Sequence, residues 1–169
     1  MRKEPKLIIY TKEATLIIGT VLFIIMSTTT FVQVLARYVF KYPIPWTDEL
    51  ARYLFIWSML LGSAVAVINK AHITITSFRD MVPEAFRSII NGISIFGTLA
   101  FSLVLVIEGY KFAIINISNY SPAMRISLSL PMISIPIGGV LMLLFSIRLL
   151  YNNFNRNNNP GISRKEVKY

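Results

Sequence analysis

Four long uncharged runs divide this chain. Ala14–Ala36, Tyr53–Asn69, Ser88–Ile107 and Ile126–Ile147 contain no Asp, Glu, Lys or Arg. The first spans 23 residues. As a helix that is about 34 Å, enough to cross a hydrocarbon core of roughly 30 Å. The third and fourth, at 20 and 22 residues, also suffice. The second has only 17, so the amphipathic turn Trp46–Arg52 before it is needed to complete the crossing. The pattern predicts an all-α integral membrane protein with four transmembrane helices and a short amphipathic segment before helix two. Pro131 and Pro136 fall in the last run. Proline suits a first helical turn, so helix four is expected to start at or just before Pro131, with a bend at Pro136 as the alternative.

Positive charge orients the spans. With the N-terminus inside, 12 of the 17 Lys and Arg fall on the cytoplasmic side and 5 on the other. That asymmetry predicts both termini in the cytoplasm. The basic start (Arg2, Lys3, Lys6, Lys12) resembles a signal peptide, but its apolar run is too long and no small-x-small cleavage site follows, so it reads as a retained first helix. The loop Lys70–Arg87 is expected to hold a short surface helix starting at Pro83-Glu84-Ala85-Phe86. Residues 1–150 form the membrane domain on this reading. Residues 151–169 form a basic, Asn-rich, disordered cytoplasmic tail.

Composition narrows the function. The net charge of +9 sits in short clusters between apolar runs, not on one basic face, so it fits an anionic membrane surface and not nucleic acid. The absence of cysteine removes disulfides, thiolate metal sites and thiol catalysis. One histidine cannot supply paired haem ligands or build a zinc site. No cofactor, metal or catalytic residue is expected, and the chain is read as a non-enzyme.

Polar groups within the spans are few. Glu108 and Lys111, three residues apart at the end of helix three, suit an interfacial ion pair. Ser27, Thr28, Thr29 and Thr30 can bond back to carbonyls one turn earlier, and they suit helix packing better than conduction. Ser58, Gly62 and Ala66 form a small-residue stripe that permits close approach within the chain or to a partner. His72 is expected to cap or pair at the cytoplasmic end of helix two. Its titration range makes pH sensing the alternative.

The densest chemistry is Arg37–Arg52, between the first two spans. Thr47 is placed to cap helix two, with Asp48 and Glu49 in the positive first turn. Arg52 can pair with either acid at helical spacing. Pro43 and Pro45 stiffen the approach, and Trp46 can anchor the hairpin at headgroup level with Tyr38, Tyr42 and Tyr53. Arg37, Glu49 and Arg52 are expected to form a polar cluster at the external surface.

These residues carry a resemblance. Arg37-Tyr38-Val39-Phe40, Pro45-Trp46-Thr47-Asp48-Glu49-Leu50-Ala51-Arg52, Trp57 and Leu61-Gly62-Ser63-Ala64 resemble the small membrane subunit of tripartite ATP-independent periplasmic (TRAP) transporters. So do His72-Ile73-Thr74-Ile75, Ser121-Pro122-Ala123-Met124 and Ile135-Pro136-Ile137-Gly138. The likeness covers roughly Arg37 to Met142. Thr76 stands where the family commonly has an acid, so no role of that acid is carried over, and Arg125 replaces a less polar residue.

The resemblance implies a complex in the bacterial inner membrane. A periplasmic binding protein delivers an organic acid, such as sialic acid or a dicarboxylate, to a large subunit. That subunit holds the substrate and sodium sites and moves as an elevator. The small subunit is an obligate, static scaffold partner with no substrate site, in contact with membrane lipid. Ser121 and Pro122 are expected to shape the third loop. A small multidrug exporter would need an acid in helix one, which is absent. An accessory anchor of another transporter or of a respiratory complex is the remaining alternative.

Overall fold

Three of the uncharged runs lie along single longer helices, and the fourth is divided between two. The computed structural model describes residues 6–69 and 84–157, and only the backbone at 84–91 and 152–157. Its helices are α1 (Lys6–Tyr38), α2 (Pro45–Ile68), α3 (Glu84–Ile115), α4 (Ser129–Met132) and α5 (Ser134–Asn157). Four spans are long and apolar enough to cross a membrane, the last formed by α4 and α5 together. Large apolar side chains such as Phe23, Ile24, Phe96 and Leu144 are more than half exposed along them. Lipid tails solvate such side chains at no cost, so no inward-facing stripe is required.

The helices pack as a row in the order α1–α2–α5–α3. The edge helices α1 and α3 each lean mainly on one neighbour, and both are far less buried than α5. Small residues set the spacing at the contacts, because association in lipid depends on close backbone approach. Gly139 faces Leu105 and Val106 of α3, and a Cβ there would stand 3.0 Å from both. Gly109 is tighter still: a Cβ would lie 2.6 Å from Ile135 Cγ2 and 3.0 Å from Pro136 Cδ. Ser102 and Ala113 extend the same buried face of α3. Between α2 and α5, Ala64, Val67, Met142 and Phe145 form the apolar core.

Several boundaries differ from the sequence reading. The amphipathic turn is not separate: α2 begins at Pro45 and continues through it. Glu84 does start a helix, but that helix is α3 itself, which runs unbroken through the third span to Ile115. The fourth span does start just before Pro131, at Ser129, as expected, but it is interrupted at Ile133. Pro136 has no N–H to give to the carbonyl four residues back, which accounts for a break in the preceding turn. At the far end, α5 continues through Tyr151 to Asn157, into the segment read as tail. His72, Thr76 and most of the Lys70–Arg87 loop lie outside the described residues, as do residues 158–169.

The polar stretch on α1 satisfies itself. Ser27, Thr28, Thr29 and Thr30 each donate to the carbonyl four residues earlier, at 2.8–2.9 Å. Ser27, Thr28 and Thr30 remain exposed, so they do not pack against another helix of this chain.

Candidate functional site

The links α1–α2 and α3–α4 meet at one end of the row. The first is short. α1 ends where Phe40 N–H donates to Leu35 O and Tyr42 N–H to Ala36 O, with Lys41 in the left-handed region at φ 54°. The chain then enters α2 at Pro45, whose fixed φ and missing N–H suit a first helical position. Thr47 is therefore inside the first turn, not at the cap. Its hydroxyl donates to Ile44 O at 2.6 Å, and Ile44 takes the N-cap position without a side-chain cap.

The second link is a tight turn. Ser121 N–H donates to Ile126 O at 2.9 Å and Leu128 N–H to Asn119 O at 2.8 Å, with Tyr120 and Ser127 bridged antiparallel. Arg125, at φ 53°, closes the tip with its N–H on Ser121 O. A non-glycine residue there is uncommon and costs local strain. This conformation presents two adjacent main-chain N–H groups, those of Ala123 and Met124, toward α2.

Glu49 receives them. Ala123 N–H donates to Oε1 at 3.0 Å and Met124 N–H to Oε2 at 2.9 Å, so each carboxylate oxygen takes one bond. Hydrogen bonds to an ionised acceptor are roughly twice as strong as neutral ones. The Glu49 residue is only 8% exposed, which shields the bonds from competing water. Ser121 is buried beside it, with its hydroxyl near the carboxylate. The result is a clasp joining the α1–α2 hairpin to the α3–α5 half of the molecule.

Asp48 points elsewhere. It pairs with Arg52 at 2.9 Å and accepts from Gln33 Nε2 of α1 at 3.0 Å. Both members of the ion pair are more than half exposed, so its net worth is small. The expected Arg37–Glu49–Arg52 grouping is not held by direct bonds among the three, although the Arg52 charge stays near Glu49. Glu49 turns to the turn backbone, Arg52 takes Asp48, and Arg37 stands exposed at the end of α1 with its charge near Asp48. Trp46 is half exposed beside a groove of about 820 Å³ whose walls include Pro45, Tyr53, Pro122 and Met132.

The other sequence candidates are dispersed. Trp57 is half-buried on α2. Ser58 is buried, and its carbonyl lies against Gly19 of α1, whereas a Cβ at Gly62 would meet nothing within 4 Å. The Gly62 backbone also lies against Gly19, while the Cβ position of Gly62 itself faces open space. Pro122 is exposed at the turn tip and Pro136 is half-buried early in α5. Glu108 and Lys111 pair at 2.7 Å, two turns before the end of α3. Among the described residues, no group of three His, Asp or Glu side chains comes together to hold a metal.

Sequence reasoning missed the partners of Glu49, because main-chain N–H donors have no residue signature. It also missed the Gln33–Asp48 bond, which joins two residues 15 apart on different helices and so has no local spacing to announce it.

Comparison with known proteins bears on this arrangement. The family model described as "Tripartite ATP-independent periplasmic transporters, DctQ component" matches residues 26–156, which include the hairpin, the clasp and the last three spans. The sialic acid TRAP transporter small permease protein SiaQ of Vibrio cholerae is 32% identical over 121 residues, covering 71% of this chain and 69% of the relative. The C4-dicarboxylate TRAP transporter small permease protein DctQ of the same species is 29% identical over 87 residues, covering 52% and 38%. The sialic acid TRAP transporter permease protein SiaT of Haemophilus influenzae is 36% identical over 74 residues, covering 44% of this chain but 12% of that longer protein. A match over most of the described helices, shared by relatives that are small permease proteins, leads to one conclusion: this chain belongs to the DctQ component, the small permease subunit, of the tripartite ATP-independent periplasmic transporters.

Proposed function

We propose that this subunit is the static scaffold of a sodium-coupled importer of an organic acid. A large membrane subunit carries the substrate and sodium sites and moves as an elevator against it. A periplasmic binding protein delivers the acid. The observation that carries this reading is the row of helices: among the described residues α1, α2, α5 and α3 pack chiefly on their neighbours in that order, which suits a layer and not a bundle closed around a path. Such a layer widens a partner's wall and gives a mobile element a fixed surface. The Glu49 clasp supports the same role, because it ties the two halves of the row together at the end where both links emerge.

The surroundings follow from the same reading. SiaT is a much longer permease protein that contains a matching segment, which supports an obligate pairing with a large permease. The names of the relatives include sialic acid and C4-dicarboxylate, so the cargo is assigned to the organic acids as a class. The positive-charge count favours both termini in the cytoplasm, with the clasp on the periplasmic face of the inner membrane. There the clasp and its neighbouring groove are in reach of the binding protein. Removing this chain should abolish uptake while leaving the binding protein's substrate affinity unchanged. Full uptake without it would overturn the proposal.

A further inference from the structure

The Glu108–Lys111 pair has no role in the clasp or in helix packing. It sits on α3, an edge helix, with both side chains about 60% exposed. The uncharged run before it, Ser88–Ile107, is 20 residues long, about 30 Å of helix and so the thickness of a hydrocarbon core. Glu108 is the first charge past that run, which puts the pair at headgroup depth. α3 then continues to Ile115, roughly 10 Å further out. Beside the pair lies a groove of about 370 Å³, walled by Val104, Phe112 and Ile135, that runs from the charges into the apolar zone.

We infer that this groove binds one phospholipid with a zwitterionic, primary-ammonium headgroup, a phosphatidylethanolamine. The charges match in sign and in number. The pair uses one carboxylate oxygen of Glu108 and one hydrogen of the Lys111 ammonium. An acceptor oxygen and two N–H donors are left over. A phosphate takes the donors, and a primary ammonium supplies N–H to the spare oxygen. A quaternary choline has no N–H to give, and a purely anionic headgroup meets the Glu108 carboxylate without compensation. Val104, Phe112 and Ile135 then receive an acyl chain. This site depends on the membrane reading alone and not on the transport role, so the two can fail separately.

The test is native mass spectrometry of the full chain in detergent, titrated in turn with dioleoyl phosphatidylethanolamine, phosphatidylcholine and phosphatidylglycerol. The expected result is retention of phosphatidylethanolamine on the order of fivefold above the other two. Glu108→Gln and Lys111→Gln should each bring it down to the phosphatidylcholine level, and Glu108→Asp with Lys111→Arg should keep the preference. Equal retention of the three lipids by the unmodified chain overturns the inference without any variant. A phosphatidylglycerol preference, or a preference that survives both neutral substitutions, does the same. Repeating the titration on the complex with the large subunit gives a further check, since loss of the preference there would mean that protein covers this face.

Discussion

Two glycines on one helix should respond to the same substitution with opposite signs. At Gly97 of α3, an added Cβ meets nothing within 4 Å. At Gly109, three turns later, it meets Ile135 Cγ2 at 2.6 Å, Ile135 Cβ at 3.0 Å and Pro136 Cδ at 3.0 Å. None of these atoms ends a flexible side chain. Two belong to a β-branched residue and the third to a proline ring, so relief requires α3 and the start of α5 to move apart. Carbon atoms pack best at roughly 3.5–4.0 Å, so the needed shift is about 1 Å. Overpacking of this kind costs about 1–3 kcal/mol. Replacing glycine by alanine in a helix returns up to about 1 kcal/mol of propensity at either site. Gly97→Ala should therefore be neutral or stabilising, and Gly109→Ala destabilising by up to about 2 kcal/mol net. For a domain of this size that is a fall in thermal midpoint of roughly 2–8 °C. Thermal melting of the purified subunit, alone and with its large partner, measures it. A Gly109→Ala variant as stable as Gly97→Ala would refute the close crossing of α3 on α5.

Two further outcomes test the site and the core. Glu49→Gln puts an amide donor where a carboxylate oxygen now accepts a main-chain N–H, so at least one clasp bond is lost; the midpoint should fall by roughly 3–6 °C and transport should drop, whereas Asp48→Asn or Arg52→Ala should move the midpoint by less than about 1 °C. Equal effects at Glu49 and Arg52, read by melting and by uptake in the reconstituted transporter, would reduce the clasp to an incidental contact. Phe145 is 1% exposed between α2 and α5, so Phe145→Ala should destabilise by on the order of 3 kcal/mol. Unfolding in denaturing detergent measures that loss, and a change under about 1 kcal/mol would contradict its place in the core.

The sequence by itself determined the spans, because lipid imposes a one-dimensional rule: a segment without charge and long enough crosses. It also determined the Glu108–Lys111 pair and offered Asp48–Arg52 as one of two pairings for Arg52, since both depend only on the pitch of one helix. Proline chemistry placed the start of the fourth span near Pro131, and the residues from Arg37 to Arg52 carried the family. Tertiary structure decided the rest. Helices surrounded by lipid have no apolar face to hide, so the pattern of Ile, Leu and Phe could not say whether the four would close into a bundle or stand in a row. The pairing of α3 with α5, for one, rests on close approaches at Gly109 and Gly139, which depend on what lies opposite. The fate of Glu49 was equally hidden. Its spacing to Arg52 suggested a local ion pair, but the turn with Arg125 at positive φ aims two main-chain N–H groups at it from more than 70 residues away. Main-chain donors are the same at every residue but proline, so only the folded chain shows which of them a carboxylate will meet.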